Sequence, residues 1–140
     1  MAPQRVLVPL DGSPQAETAL TYATETFPDA EIVVVHVVNP VAGATDIDGI
    51  MADTAGVVDE RKRFGEELFE QARKTAGDRI VDSEILAGRA ANEIVKYVAD
   101  NEIDAIVMGS HGRDGAARLL LGSVSETVVR RSPVPVTVVR

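Results

Sequence analysis

Short runs of β-branched and aliphatic residues alternate along the chain with longer stretches whose apolar positions recur every three or four residues. The first run, Arg5–Leu10 (RVLVPL), predicts a strand closed by the turn-forming DGSP. Ser13 then suits a helix N-cap and Pro14 the first helical turn. Ala16, Ala19, Leu20, Ala23 and Phe27 fall on one face of that helix. Ile32–Val38 (IVVVHVV) is an unbroken apolar run around one histidine, as expected of a strand covered on both faces. Residues 39–56 are small and acidic and read as a loop.

The alternation continues to the end of the chain. Val57, Phe64, Leu68, Ala72 and Ala76 make the apolar stripe of a long charged helix. Arg79–Leu86 has polar residues at its centre, which predicts an edge strand. Gly88 opens the next connection, and Ala91, Ile94, Val95 and Val98 mark a third helix. Asp104–Gly109 predicts another covered strand. SVSETVVRRS, residues 123–132, predicts a short last helix stopped before Pro133. Pro135–Arg140 closes the chain as a strand, where Pro135 lacks the ladder donor and so favours an edge.

Strands alternating with helices, without a break in composition, predict an α/β fold. Residues 1–140 are expected to form one domain, an open five-stranded parallel sheet with helices on both faces in the Rossmann-like manner. Ligands of such sheets bind beyond the carboxyl ends of the strands. Here that places the loops after Leu10, after Val38 and after Met108 together.

Composition narrows the function. The absence of cysteine excludes disulfides and thiolate metal sites. A net charge of -8 disfavours nucleic acid and anionic membrane as partners. No apolar stretch approaches the ~20 residues of a membrane span, and the N-terminus lacks a signal-peptide pattern, so a cytoplasmic protein is expected.

The candidate chemistry lies in MGSHGRDGAARLLLGS, residues 108–123. Its glycines leave a strand end and reach SVSE, a Ser-x-x-Glu capping box that predicts a helix N-terminus at Ser123. Backbone amides turned inward on such a loop, beside a helix dipole, form an anion site. An ordinary glycine-rich loop leading to a capped helix fits the spacing equally well. Neither a Walker loop nor a dinucleotide fingerprint is present.

At this point the residues resemble a family. Gly109-Ser110-His111-Gly112, nine residues, then Gly122-Ser123 match the G-x2-G-x9-G-[S/T] signature of ATP-binding universal stress proteins. VLVPLDGS, VVHVV, AGRAANEIV and SPVPVTVVR are similar to that family's first two strands, third helix entry and last strand. The resemblance implies an adenine nucleotide alpha hydrolase-like fold that binds ATP with Mg²⁺. It implies phosphate held by amides around Gly109, Gly112, Gly122, Ser123 and Val124, with the Ser123 and Ser125 hydroxyls. Pro9 and Leu10 would line the pocket, the Val37 backbone would meet the adenine edge, and Asp11 would help to hold the metal. It also implies a homodimer through the last strand, with Val134, Val136 and Val138 at the interface, and a regulatory role read by a further protein partner.

Other residues stay open at this level. His36, in mid-strand, reads as a packed core histidine. His111 and Arg113 are placed either to meet a phosphate or to stand in solvent, as is Arg118. Glu126 is expected to point away from the phosphates, back over the cap. The acidic residues 46–53 fail the calcium-loop pattern and are placed to act as a lid. Two other functions remain beside the regulatory one: an adenine-nucleotide hydrolase or nucleotidyl transferase, and a dimeric scaffold that needs no nucleotide.

Overall fold

A computed structural model of the chain describes residues 2–39, 54–110 and 122–140, with side chains 54–58 left aside. The elements run β1 (Arg5–Pro9), α1 (Pro14–Thr26), β2 (Glu31–Val38), α2 (Thr54–Ala76), β3 (Ile80–Ala87), α3 (Ala90–Asp100), β4 (Ala105–Gly109), α4 (Ser123–Arg131) and β5 (Val136–Val139). A short 3-10 turn, Gly77–Arg79, joins α2 to β3. The α/β alternation expected from the sequence is the alternation found.

All neighbouring strands are parallel, in the order β3-β2-β1-β4-β5. The chain first builds outward from β1 to β2 and β3, then crosses back to β4 and β5. The order therefore reverses between β1 and β4, and loops leaving those strands part to opposite faces and open a crevice.

Alternate strand residues supply two cores. Val6, Val8, Ile32, Val34 and Val107 face α1 and α2, where they meet Ala16, Ala19, Leu20, Leu68, Phe69 and Ala72. Leu7, Val33, Val35, Ile106 and Met108 face the other way, against Ile94, Tyr97 and Val98 of α3 and Val128 of α4. Burial on both faces is why these strands read as unbroken apolar runs rather than as alternation. Each fully buried Val, Leu or Ile contributes about 1.5–3 kcal/mol.

Two expected stripes are adjusted by the packing. On α2 the buried face is Leu68, Phe69, Ala72 and Ala76, whereas Phe64 is 44% exposed. On α3 it includes Tyr97, which the aliphatic spacing alone passes over. The C-terminal end of α1 has no basic residue in its own last turn. Arg79 supplies the cation instead: its guanidinium donates to the carbonyls of Thr24, Phe27 and Ala30.

The alanines of α1 let the helix lie close on the sheet, and its first turn passes directly over the end of β4. A Cβ on Gly109 would stand 2.5 Å from the Gln15 carbonyl carbon and 2.7 Å from the Ala16 nitrogen. Both are main-chain atoms, so neither can swing aside. Gly109→Ala is expected to destabilise the fold by about 3 kcal/mol, read as a lower urea midpoint; an unchanged midpoint would refute the contact.

Tyr97 is 5% exposed, and burial raises its phenol pKa, reinforced by the Asp82 and Glu84 carboxylates. A phenol whose folded pKa lies above the unfolded ~10 contributes stability that is intact below ~10 and lost as pH rises through the folded value. Tyr97→Phe should therefore flatten the fall in stability between about pH 9 and about pH 11. An alkaline limb as steep as that of the unmutated chain would argue against it.

Candidate functional site

A cleft enclosing about 150 Å³ opens at the carboxyl ends of β1, β2 and β4. Pro9, Leu10 and Asp11 leave β1, Val35, His36 and Val37 end β2, and Met108 and Gly109 end β4. Ala90 and Ile94 of α3 close one side, and Gly122, Ser123, Val124 and Ser125 open α4 at another. The strand order puts these segments together at the point where it reverses.

Each segment is set by local bonds. The Leu10 amide donates to Val35 O at 2.8 Å, and its carbonyl accepts from His36 Nδ1 at 2.7 Å. Asp11 follows in a tight turn: Asp11 Oδ1 accepts the Ser13 amide at 2.9 Å, and Gly12 takes φ +87°, which favours glycine. Ser13 Oγ then caps α1 by accepting the Ala16 amide at 3.1 Å, as its sequence position predicts. Asp11 is thus a turn residue and an exposed rim residue together.

At α4 the capping differs from expectation. Ser123 is the first helical residue, and the N-cap is Gly122, which has no side chain to accept a first-turn amide. The predicted Ser-x-x-Glu box does not form. Glu126 does turn from the cleft, but along the helix to Arg130 at 2.7 Å and not back over the cap. Ser110, 8% exposed, accepts the Gly122 amide on its Oγ at 3.0 Å. Ser125 Oγ, 2% exposed, donates to the Gly122 carbonyl at 3.2 Å. Among the described residues no side chain caps the first turn of α4, and that turn, with the positive end of its dipole, borders the cleft.

The cleft therefore has two chemical ends. Pro9, Leu10, Val35, Val37, Ile94 and Met108 give it an apolar floor suited to a flat ring. Gly122–Ser125 give it donors suited to an anion. The enclosed part, about 150 Å³, is smaller than the roughly 300–1,000 Å³ of a whole ligand site.

Of the residues predicted from sequence, the structure brings together Pro9, Leu10, Asp11, Val37, Gly109, Gly122, Ser123, Val124 and Ser125. His111, Gly112 and Arg113, with Arg118 and the 46–53 loop, lie outside the described residues. Gly109 serves the chain as well as the cleft, because α1 crosses it. His36 is buried, as a core histidine should be, yet it also borders the cleft. Sequence reasoning gave no separate part to Ser110, Ala90 or Ile94. Ser110 was open to it as the hydroxyl directly after a strand-ending glycine.

Among the described residues no three His, Cys, Asp or Glu side chains gather as a metal site. No helix among them is long and apolar enough to cross a membrane.

Comparison with known proteins agrees with this geometry. Universal stress protein MJ0577 of Methanocaldococcus jannaschii is 31% identical over 153 aligned residues, covering 98% of this chain and 94% of its own. The structure of UspA from Lactobacillus plantarum superposes with a TM-score of 0.83 at 25% identity, over 100% of this chain and 99% of that one. A universal stress protein solved in complex with cAMP superposes at 0.71 and 25% identity, over 100% and 99%. With the sequence model of the universal stress protein family matching residues 3–140, the chain belongs to that family.

Proposed function

We propose that this cleft binds an adenine nucleotide, ATP with Mg²⁺, and that occupancy regulates a homodimeric stress-response protein. The observation that carries the reading is the pairing of an apolar floor with the uncapped N-terminus of α4. The base lies on the floor beside Val37, and phosphates meet the amides of Gly122–Ser125. The relative solved with cAMP supports a nucleotide of this class. Mg²⁺ keeps several waters and takes one or two carboxylates plus phosphate oxygens, so Asp11 at the rim suits it without a protein cage. His111, Gly112 and Arg113 join the proposal on sequence alone.

Binding and not turnover is the proposed role. The titratable side chains bordering the described cleft are Asp11 and His36. Both hold backbone, at Ser13 and at Leu10. Fast phosphoryl transfer needs a base or water-orienting group aimed at the reacting phosphate. Regulation then works by population shift, with the nucleotide favouring a dimer form that a partner protein reads.

The dimer reading rests on β5 standing last in the strand order among the described residues. The Pro135 and Val139 carbonyls accept the Ile106 and Ser110 amides, so odd-numbered residues pair with β4. Val136 and Val138 therefore turn their main-chain groups to the open edge, and Pro135 does not blunt it. Val134, Val136 and Val138 are part-buried side chains packed over the α3 core.

Calorimetry or thermal shift with millimolar ATP–Mg²⁺ tests the ligand. Gly122 sits at φ −62°, ψ 157°, which valine adopts freely, so Gly122→Val should fold normally. It should weaken binding at least ~tenfold by blocking approach to the amides. No shift with any adenine nucleotide would leave the scaffold reading. Release of AMP and pyrophosphate would replace regulation with hydrolysis.

Sedimentation tests the assembly, which should run at twice the 14.9 kDa chain mass. Val138→Pro removes an outward donor while sparing the β4 ladder, and should return a folded monomer. A monomer before mutation would end the dimer proposal.

A further inference from the structure

Gly65 stands inside α2, where glycine weakens a helix. A Cβ there would lie 2.8 Å from Cδ2 and 3.3 Å from Cγ of His36. The missing side chain lets α2 seat directly on the imidazole. One residue earlier, the Phe64 ring packs edge-on against His36 with centroids 5.7 Å apart and planes at 74°. The same ring reaches over the turn after β1, where a Cβ on Gly12 would meet it at 2.7 Å.

On its other side His36 meets that same turn. Its Nδ1 lies 2.7 Å from the Leu10 carbonyl oxygen, and because a carbonyl only accepts, Nδ1 carries the proton and donates. Leu10 is thus held at both main-chain polar groups, by Val35 and by His36. Asp11, the rim carboxylate, is the next residue.

We propose that His36 is a positioning residue of the cleft. Its Nδ1–H bond sets the chain's exit from β1 and hence the place of Asp11, while α2 clamps the ring through Gly65 and Phe64. The ligand consequence rests on the nucleotide reading; the positioning itself does not.

Three variants separate the hydrogen bond from packing. His36→Asn keeps a donor near the Nδ1 position and loses the ring. His36→Leu keeps apolar bulk and loses the donor. Gly65→Ala pushes a methyl into the ring from a residue that does not border the cleft. Hydrogen exchange at the amides of residues 11–13, with α3 as internal reference, reads the turn. Calorimetry with ATP–Mg²⁺ reads the cleft.

His36→Leu and Gly65→Ala should speed exchange at 11–13 about tenfold and weaken ATP about tenfold, the scale of one lost buried hydrogen bond. His36→Asn should stay within about threefold of the unmutated chain. A glycine serving only the helix would give the opposite sign in Gly65→Ala: slower exchange in α2 and no change at 11–13. Unchanged exchange in His36→Leu overturns the proposal, as does a His36→Asn impaired as much as His36→Leu. Should His36→Leu not fold, Gly65→Ala and His36→Asn still decide. If the unmutated chain binds no nucleotide, the ligand reading falls and the exchange result alone judges the positioning.

Discussion

The approach of α1 to Gly109 is the contact on which the rest of the cleft depends. Main chain meets main chain there, with Gln15 and Ala16 against a residue that has no side chain. Because α1 begins at the turn after β1, this contact ties the exit of β1 to the exit of β4. Those two exits flank the place where the strand order reverses. A side chain at 109 would lift the helix, separate the two loops and open the floor between Leu10 and Met108.

The fold was legible because its strands are covered on both faces. Val6–Val8 and Ile32–Val35 are wholly buried, and no other arrangement of so short a chain calls for continuous β-branched runs separated by helices. Side-chain direction was less legible. Phe64 falls on the α2 stripe by spacing, yet it leaves the core to cover His36 and Gly12. Periodicity reports which face a residue occupies, not whether a neighbouring turn draws it sideways. Tyr97 was missed for a related reason: its body is apolar and buried, but its hydroxyl makes it read as polar within an aliphatic stripe.

The glycine-rich stretch shows the same limit within the site. Its spacing pointed to close approach but not to what approaches. At Gly109 the partner is α1. At Gly122 the glycine is the N-cap, and SVSE misled because a Ser-x-x-Glu pattern one residue downstream of the true cap looks identical in sequence. The Gly122 amide is held by the Ser110 hydroxyl, twelve positions earlier, a contact that local spacing does not report.

The shifted cap matters for the polarity of the cleft. Three helices begin near its edge, and serine is close to the starts of α1 and α4. Ser13 closes α1 by accepting the Ala16 amide. At α4, Ser110 accepts at Gly122, ahead of the helix, and Ser125 donates to the Gly122 carbonyl instead of accepting from an amide. Had Ser123 been the cap, its oxygen would have satisfied a first-turn donor and reduced the helix's attraction for an anion. With the cap moved back to glycine, the serines brace the N-terminus without closing it. The start of α4 thus borders the cleft beside Asp11 and His36, set against the floor built by β1, β2 and β4.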